Sequence, residues 1–195
     1  MRFTRSLAAA LVLAVSPLAA FVPAASAANY TVDNGHSSVL FKTTHLNVSP
    51  FWGRFNKVSG AFTFDAANPA ASKLAVDIDV GSIFTAEKKR DDHLKSPDFF
   101  NAKQFPTITL RSTAVKAGSR AGSYLVTGDL TIRGVTKSIS VELTKTGEGK
   151  DPWGGERIGF EGSFTVNRLD YGVSYMPDAL GKDVTIVVTV EGIKG

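Results

Sequence analysis

The sequence predicts an all-β protein. The expected form is an extended antiparallel barrel of about eight strands, with one helical or irregular segment at about 85–103 packed at or near one end. Three observations predict it. Apolar residues recur with period two in almost every run beyond residue 27, the pattern of strands with one buried face. The inward rows hold several of the 13 phenylalanines, more bulk than two interdigitated sheets need, and a sheet of this size tends to close or split into layers. Only Phe84–Pro106, FTAEKKRDDHLKSPDFFNAKQFP, interrupts the alternation. A sandwich with a filled core is the alternative that pattern alone leaves open.

Met1 to Ala27 reads as a cleaved secretory signal. Arg2 and Arg5 give the positive start, Leu7 to Ala20 the apolar middle, and Ala25-Ser26-Ala27 the small-residue cleavage pattern. Pro17 and Pro23 break the apolar run, which argues against an uncleaved anchor. Residues 28–195 then form one domain, long enough to bury a core. Without Arg2 and Arg5, 20 basic residues face 18 acidic ones, a net charge of +2. That balance argues against nucleic acid as a partner and against strong overall attraction to anionic membrane. There is no cysteine, which excludes a thiol nucleophile, a thiolate zinc site, covalent haem and a lipoprotein anchor. A soluble periplasmic protein is expected.

The strands follow in order. Val39-Leu40-Phe41 lies in a first strand, and Phe62 and Phe64 share a face after Gly60. Leu74, Val76, Ile78 and Val80 alternate with Ala75, Asp77 and Asp79. Past the interruption, Ile108 and Leu110 point one way, then Tyr124, Val126, Leu130 and Ile132 share a face. Gly134 turns the chain into Ile139, Val141 and Leu143. Thr146 to Gly155 reads as a glycine-rich loop holding Trp153. Ile158, Phe160, Phe164 and Val166 form the next inward row, and Val184, Ile186, Val188 and Val190 the last.

Reactive chemistry is sparse. His36 and His45 are an odd interval apart, so on one straight strand they face opposite ways, and no metal site is expected. Asp91, Asp92 and His93 could form an acid–base group if they converged; the plainer expectation is a solvated helix face with one structural histidine bond. No G-x-S-x-G elbow or phosphate loop is present. Inward phenylalanines beside aliphatics fit a core or an apolar ligand better than a base-stacking platform. What remains is a hydrocarbon-like interior, in which each buried methylene contributes about 0.8 kcal/mol.

The order and spacing of several motifs resemble the YceI-like family of periplasmic, lipocalin-like proteins, along nearly the whole mature chain. They are YTVDNGHSSVLFKTTHLNVS at Tyr30–Ser49, RDDHLKSPDFFNAKQFPTITLRST at Arg90–Thr113, GDLTIRGVTK at Gly128–Lys137, DPWGGERIGFEG at Asp151–Gly162 and NRLDYG at Asn167–Gly172. Asn47 stands where the family usually has glycine, which implies a local turn difference. The resemblance implies a barrel with an internal channel for a polyisoprenoid or another amphiphilic lipid, isoprenoid quinones included. No cofactor and no catalytic residue is expected. Some relatives pair with membrane cytochromes, so transient contact with a membrane or a membrane redox partner is an expectation, as monomer or homodimer.

The expected apolar lining is Phe41, Phe62, Phe64, Ile78, Phe84, Phe99, Phe100, Trp153, Phe160, Phe164 and Tyr171. His45, Arg90 and His93 are candidates to meet a head group. Arg168 and Asp170 are expected to pair locally and fix a strand end. The leading function is a non-enzymatic carrier or sequestering protein. A lipid-acting enzyme using Asp91, Asp92 and His93, and a stress-related scaffold, are the alternatives. In the leading reading Phe84–Pro106 is expected to act as a lid, its acids wet and its apolar side chains turned to the barrel mouth; the enzyme alternative instead needs Asp91, Asp92 and His93 to face inward.

Overall fold

The computed structural model describes residues 27–195; apart from Ala27, the expected leader lies outside them. The elements are β1 (Ala28–Val32), β2 (Ser38–His45), β3 (Ser49–Phe55), β4 (Val58–Phe64), β5 (Lys73–Asp79), β6 (Ile83–Phe84), α1 (Lys88–Lys95), β7 (Thr107–Ala117), β8 (Ser123–Ile132), β9 (Val135–Lys150), β10 (Glu156–Asn167) and β11 (Asp183–Lys194). All pairings are antiparallel.

The 11 strands form an eight-stranded closed barrel, because the first six are halves of three bent strands. β1 and β2 lie end to end along one edge of β11. β4 and β3 continue the same break, pairing with β1 and β2 respectively, and β5 and β6 repeat it against β4 and β3. Two of the bends have a local cause in a tight turn. Asn34-Gly35 turns the first, and Asp79 turns the third by accepting the Gly81 N–H (2.8 Å).

The expected alternation is present in burial. Val39 and Phe41 on β2, Val76 on β5, Ile108 on β7, Val126 and Leu130 on β8, Val141 on β9 and Ile158, Phe160 and Val166 on β10 are all buried. Two boundaries differ from expectation. Val80 sits in a short 3-10 turn rather than a strand, and β9 runs through Thr146 to Lys150, leaving only Asp151–Gly155 as the turn. β1, β3 and β6 were not expected as separate strands.

The sheet is incomplete at one end. β5 pairs with β7 only as far as Asp79–Thr107, and the chain from Thr85 to Pro106, including α1, occupies the gap that opens beyond. β9 and β10 pair only up to Leu143–Gly162, and a 3-10 turn at Arg168–Tyr171 lies beside β9 where they separate. At the opposite end β8, β9, β10, β11, β1 and β4 stay paired, while β7 runs past its last β5 partner at Ala75–Arg111.

A charged latch ties the closing seam. Arg157 on β10 donates to Asp33 Oδ2 (2.7 Å) and to Glu191 Oε1 on β11 (2.5 Å). His36 Nδ1 lies 2.8 Å from the same Asp33 oxygen. Asp33, His36 and Glu191 have a spacing a cation could use, but the Arg157 guanidinium takes that place. The His36 hydrogen bond, followed by that of Arg157, holds Asp33 at about 2, while Asp33 raises His36 above 6.5.

These shifts set a pH window. The depressed Asp33 contributes fully above its ordinary 3.8 and loses that contribution as pH falls through about 2. The raised His36 contributes fully below 6.5 and loses it as pH rises through its elevated value. Asp33→Asn is therefore expected to flatten the acid limb of a melting-temperature-against-pH curve. An acid limb identical to wild type would remove this latch from barrel closure.

Candidate functional site: an apolar cavity closed at one end

The incomplete end of the barrel opens into a cavity of ≈ 500 Å³. Its walls come from the inward rows: Phe41 on β2, Ile78 on β5, Ile108 on β7, Leu130 on β8, Phe164 on β10 and Ile186 on β11. Period two places one such side chain per two residues of each strand, so the wall is nearly continuous hydrocarbon. β3 contributes Phe51 and Phe55. Between them Gly53 faces the Phe41 ring, where a Cβ would come within 2.2 Å of Phe41 Cζ. That glycine lets Phe41 lie flat along the wall.

The Thr85–Pro106 segment covers part of this opening. Leu94, Phe99 and Phe100 face the cavity, and Phe100 meets Phe55 edge-on with ring centroids 5.8 Å apart. Phe99, His93 and Tyr175 form a mutually touching trio at centroid distances of 5.0–5.1 Å. Arg133 in the β8–β9 turn donates to Phe99 O (2.6 Å) and Gly172 O (2.8 Å), tying the lid to the opposite rim. Phe105 packs against Gly134 in that turn, outside the cavity.

The three candidate catalytic side chains diverge. Asp91 is buried and accepts from Thr85 N (2.8 Å) and Thr85 Oγ1 (2.5 Å), fastening the start of the lid. This corrects the expectation of a solvated Asp91. Asp92 faces solvent between Lys88 and Lys95. The His93 Nε2–H donates to Asp98 Oδ2 at 2.9 Å, away from both. Consecutive helix positions are about 100° apart, so such a triplet cannot share a face.

Polar groups gather at the mouth. His45, at the end of β2, Arg90 and His93 all border the cavity. Arg90 Nε and Nη2 donate to Thr85 Oγ1 (2.9 Å) and Thr85 O (2.6 Å), and its guanidinium lies 4.6 Å from the Phe51 centroid. Among the described residues, none lining the cavity is acidic. Arg168 also borders it, but donates to the carbonyls of Val173, Tyr175, Met176, Leu180 and Gly181. The expected pairing with Asp170 is absent; Asp170 lies 3.8 Å from Lys137.

The expected lining separates into three groups. Phe41, Ile78, Phe99, Phe100, Phe164 and Tyr171 surround the cavity together with the mouth residues His45, Arg90 and His93. Phe62, Phe64 and Phe160 lie inside the barrel but toward its opposite end. Phe160 touches Phe62, Phe64 and Tyr124, mostly edge-on at 5.1–6.3 Å, and this cluster plugs the barrel. Phe84 and Trp153 are corrections: they are 46% and 85% exposed. The 3-10 turn at Val80–Ser82 resets the alternation, so Ile83 points in and Phe84 out, opposite Arg54. Trp153 is carried outward by an Asp151 turn that accepts the Trp153 and Gly155 N–H groups. Phe51 and Phe55 were missed, although Phe51, Gly53 and Phe55 show the same period of two.

The YceI-like domain family matches residues 30–192. A UPF0312 protein of Pseudomonas aeruginosa is 42% identical over 87% of this chain and 89% of its own length. BcnA of Burkholderia cenocepacia has a similar crystal structure, with a TM-score of 0.74 and 29% identity, covering 82% of this chain and 98% of that one. A polyisoprenoid binding domain from Saccharophagus degradans shares the fold at a TM-score of 0.64 and 16% identity, covering 85% and 98%.

Proposed function

Because the chain belongs to the YceI-like family, we propose that it is a periplasmic carrier or sequestering protein for a long-chain isoprenoid, an isoprenoid quinone being a good fit. The observation that supports this most is the cavity: ≈ 500 Å³, lined by hydrocarbon, plugged at one end and polar only around the mouth. The volume lies within the roughly 300–1,000 Å³ usual for small-molecule sites. A flexible apolar tail enters such a space without leaving an unpaired polar group behind.

The mouth supports a neutral or anionic head group rich in acceptor oxygens. Arg90 has N–H groups beyond those given to Thr85, and His45 stands on β2 beside the Phe51 strand that Arg90 packs against. The absence of any acid among the lining residues removes repulsion of such oxygens. The leader-like start of the chain supports export to the periplasm. Protein expressed with that start in its host, then extracted with organic solvent and weighed by native mass spectrometry, should yield an isoprenoid lipid in stoichiometric amount. Recovery of apo protein that also takes up no ubiquinone or polyprenol would overturn the proposal.

A further inference from the structure

The chain's exposed apolar side chains are concentrated at the cavity mouth. Leu46 and Val48 form the tip of the β2–β3 hairpin, Trp52 and Phe84 lie on the outer face beside it, and Tyr175 and Met176 stand on the neighbouring loop. Among the described residues they are six of the nine large apolar side chains that are exposed; Leu125 and Trp153 lie elsewhere, and Val135 stands beside the β8–β9 turn. Val48 is 83% exposed. The tip is also held in that position: Leu46 has φ +51, where a residue other than glycine or asparagine is strained. Asn47 Nδ2 donates to Asp178 O (3.0 Å), and Gly181 N donates to Thr44 O (2.9 Å), bracing hairpin and loop together.

Charge on the β2–β3 hairpin itself is one-sided, while the adjoining loop carries Asp178, Lys182 and Asp183. From Asn34 to Phe64 the chain contains no Asp or Glu, while Lys42 and Arg54 lie on the hairpin's two arms, three and five residues back from its end. Lys42 Nζ lies 5.6 Å from the Trp52 ring centroid, and Arg54 is opposite Phe84. Neither cation is in an ion pair among the described residues. The small overall net charge hides this local excess. An apolar, aromatic-bearing tip with cations on the arms behind it matches the layered chemistry of a bilayer surface, apolar below and anionic phosphate above.

We propose that this rim docks onto an anionic phospholipid bilayer, with the β2–β3 tip and Tyr175–Met176 entering the interface and Lys42 and Arg54 meeting lipid phosphates. Docked this way, the cavity mouth faces the membrane, and an apolar chain passes between bilayer and barrel without crossing water. Its purpose rests on the carrier reading, but docking itself needs no bound isoprenoid.

The two tryptophans make a direct test. In Trp153→Phe the remaining Trp52 reports the rim; in Trp52→Phe the remaining Trp153 reports the opposite end. With vesicles of phosphatidylcholine and phosphatidylglycerol, free of isoprenoid, Trp52 fluorescence should shift to the blue and be quenched by brominated acyl chains, while Trp153 stays unchanged. Leu46→Asp and, separately, Val48→Asp should weaken partitioning about tenfold, and Lys42→Glu with Arg54→Glu should remove the preference for phosphatidylglycerol. Melting curves of each variant check that the barrel persists. No shift of Trp52, an equal shift of Trp153, or partitioning unaffected by either aspartate would overturn docking and leave isoprenoid binding untouched.

Discussion

Ile186→Trp is expected to give a folded barrel that retains no lipid. Ile186 projects from β11 into the middle of the cavity, opposite Phe41 on β2 and Phe164 on β10. The ≈ 500 Å³ space can take an indole without moving the wall, so the destabilisation should stay at or below the about 1–3 kcal/mol typical of overpacking. The effect on binding is larger. Displacing one five-carbon unit from the cavity forfeits about 4 kcal/mol at 0.8 kcal/mol per carbon, close to a thousandfold in affinity. Val184→Trp, one inward position nearer the mouth, should act the same way. Binding is read by uptake of a fluorescent polyprenol analogue, and folding by far-UV circular dichroism and melting temperature. A variant that melts normally yet binds as wild type would place the ligand somewhere other than this cavity.

The inward rows were legible because period two survives wherever a strand runs straight. Phe41, Ile78, Phe164 and Ile186 could be assigned to the interior from spacing alone, and each lines the cavity. Phe84 could not. A 3-10 turn of three residues shifts the parity between Val80 and Ile83, and Val80 and Phe84, four apart, look equivalent when the chain is read as one strand. Depth along the barrel was equally hidden. Phe160 and Phe164 have the same parity on β10, yet one belongs to the plug and the other to the cavity. That difference depends on where neighbouring strands begin, which is a property of register across the sheet.

The lid shows a different limit. Its composition marked Phe84–Pro106 as unlike the rest, and Leu94, Phe99 and Phe100 do face the cavity. Asp91 looked like a surface acid because its neighbours are charged. Its burial follows from one partner six residues earlier: Thr85 presents both its N–H and its hydroxyl to the carboxylate. A local capping contact of that kind leaves no periodic trace. The same holds for Arg168, whose role is decided by five carbonyls from residues 173–181 rather than by an acid nearby.

Arg168→Met is expected to be the most destabilising single change at the mouth. Arg168 is 8% exposed and, among the described residues, has no carboxylate partner; burial lowers its pKa. Its charge is offset by five carbonyl dipoles at 2.6–3.3 Å, which use all five guanidinium N–H groups. Methionine preserves length and packing but leaves those oxygens without their donor. Hydrogen bonds to a charged group contribute about 1.5–3 kcal/mol each, and they are not additive, since the loop can turn some carbonyls to water. A loss of about 3–5 kcal/mol in urea unfolding is the expected result. Arg168→Lys should fall between the two, because an ammonium has three donors for five acceptors. Hydrogen exchange separates a local from a global effect: amides of 173–181 should lose protection first, while β7 and β8 keep theirs. Those carbonyls frame the mouth beside His45 and Tyr175, so Arg168→Met should also speed release of a bound polyprenol analogue. Wild-type stability together with wild-type release would mean that the 173–181 loop holds its place without Arg168.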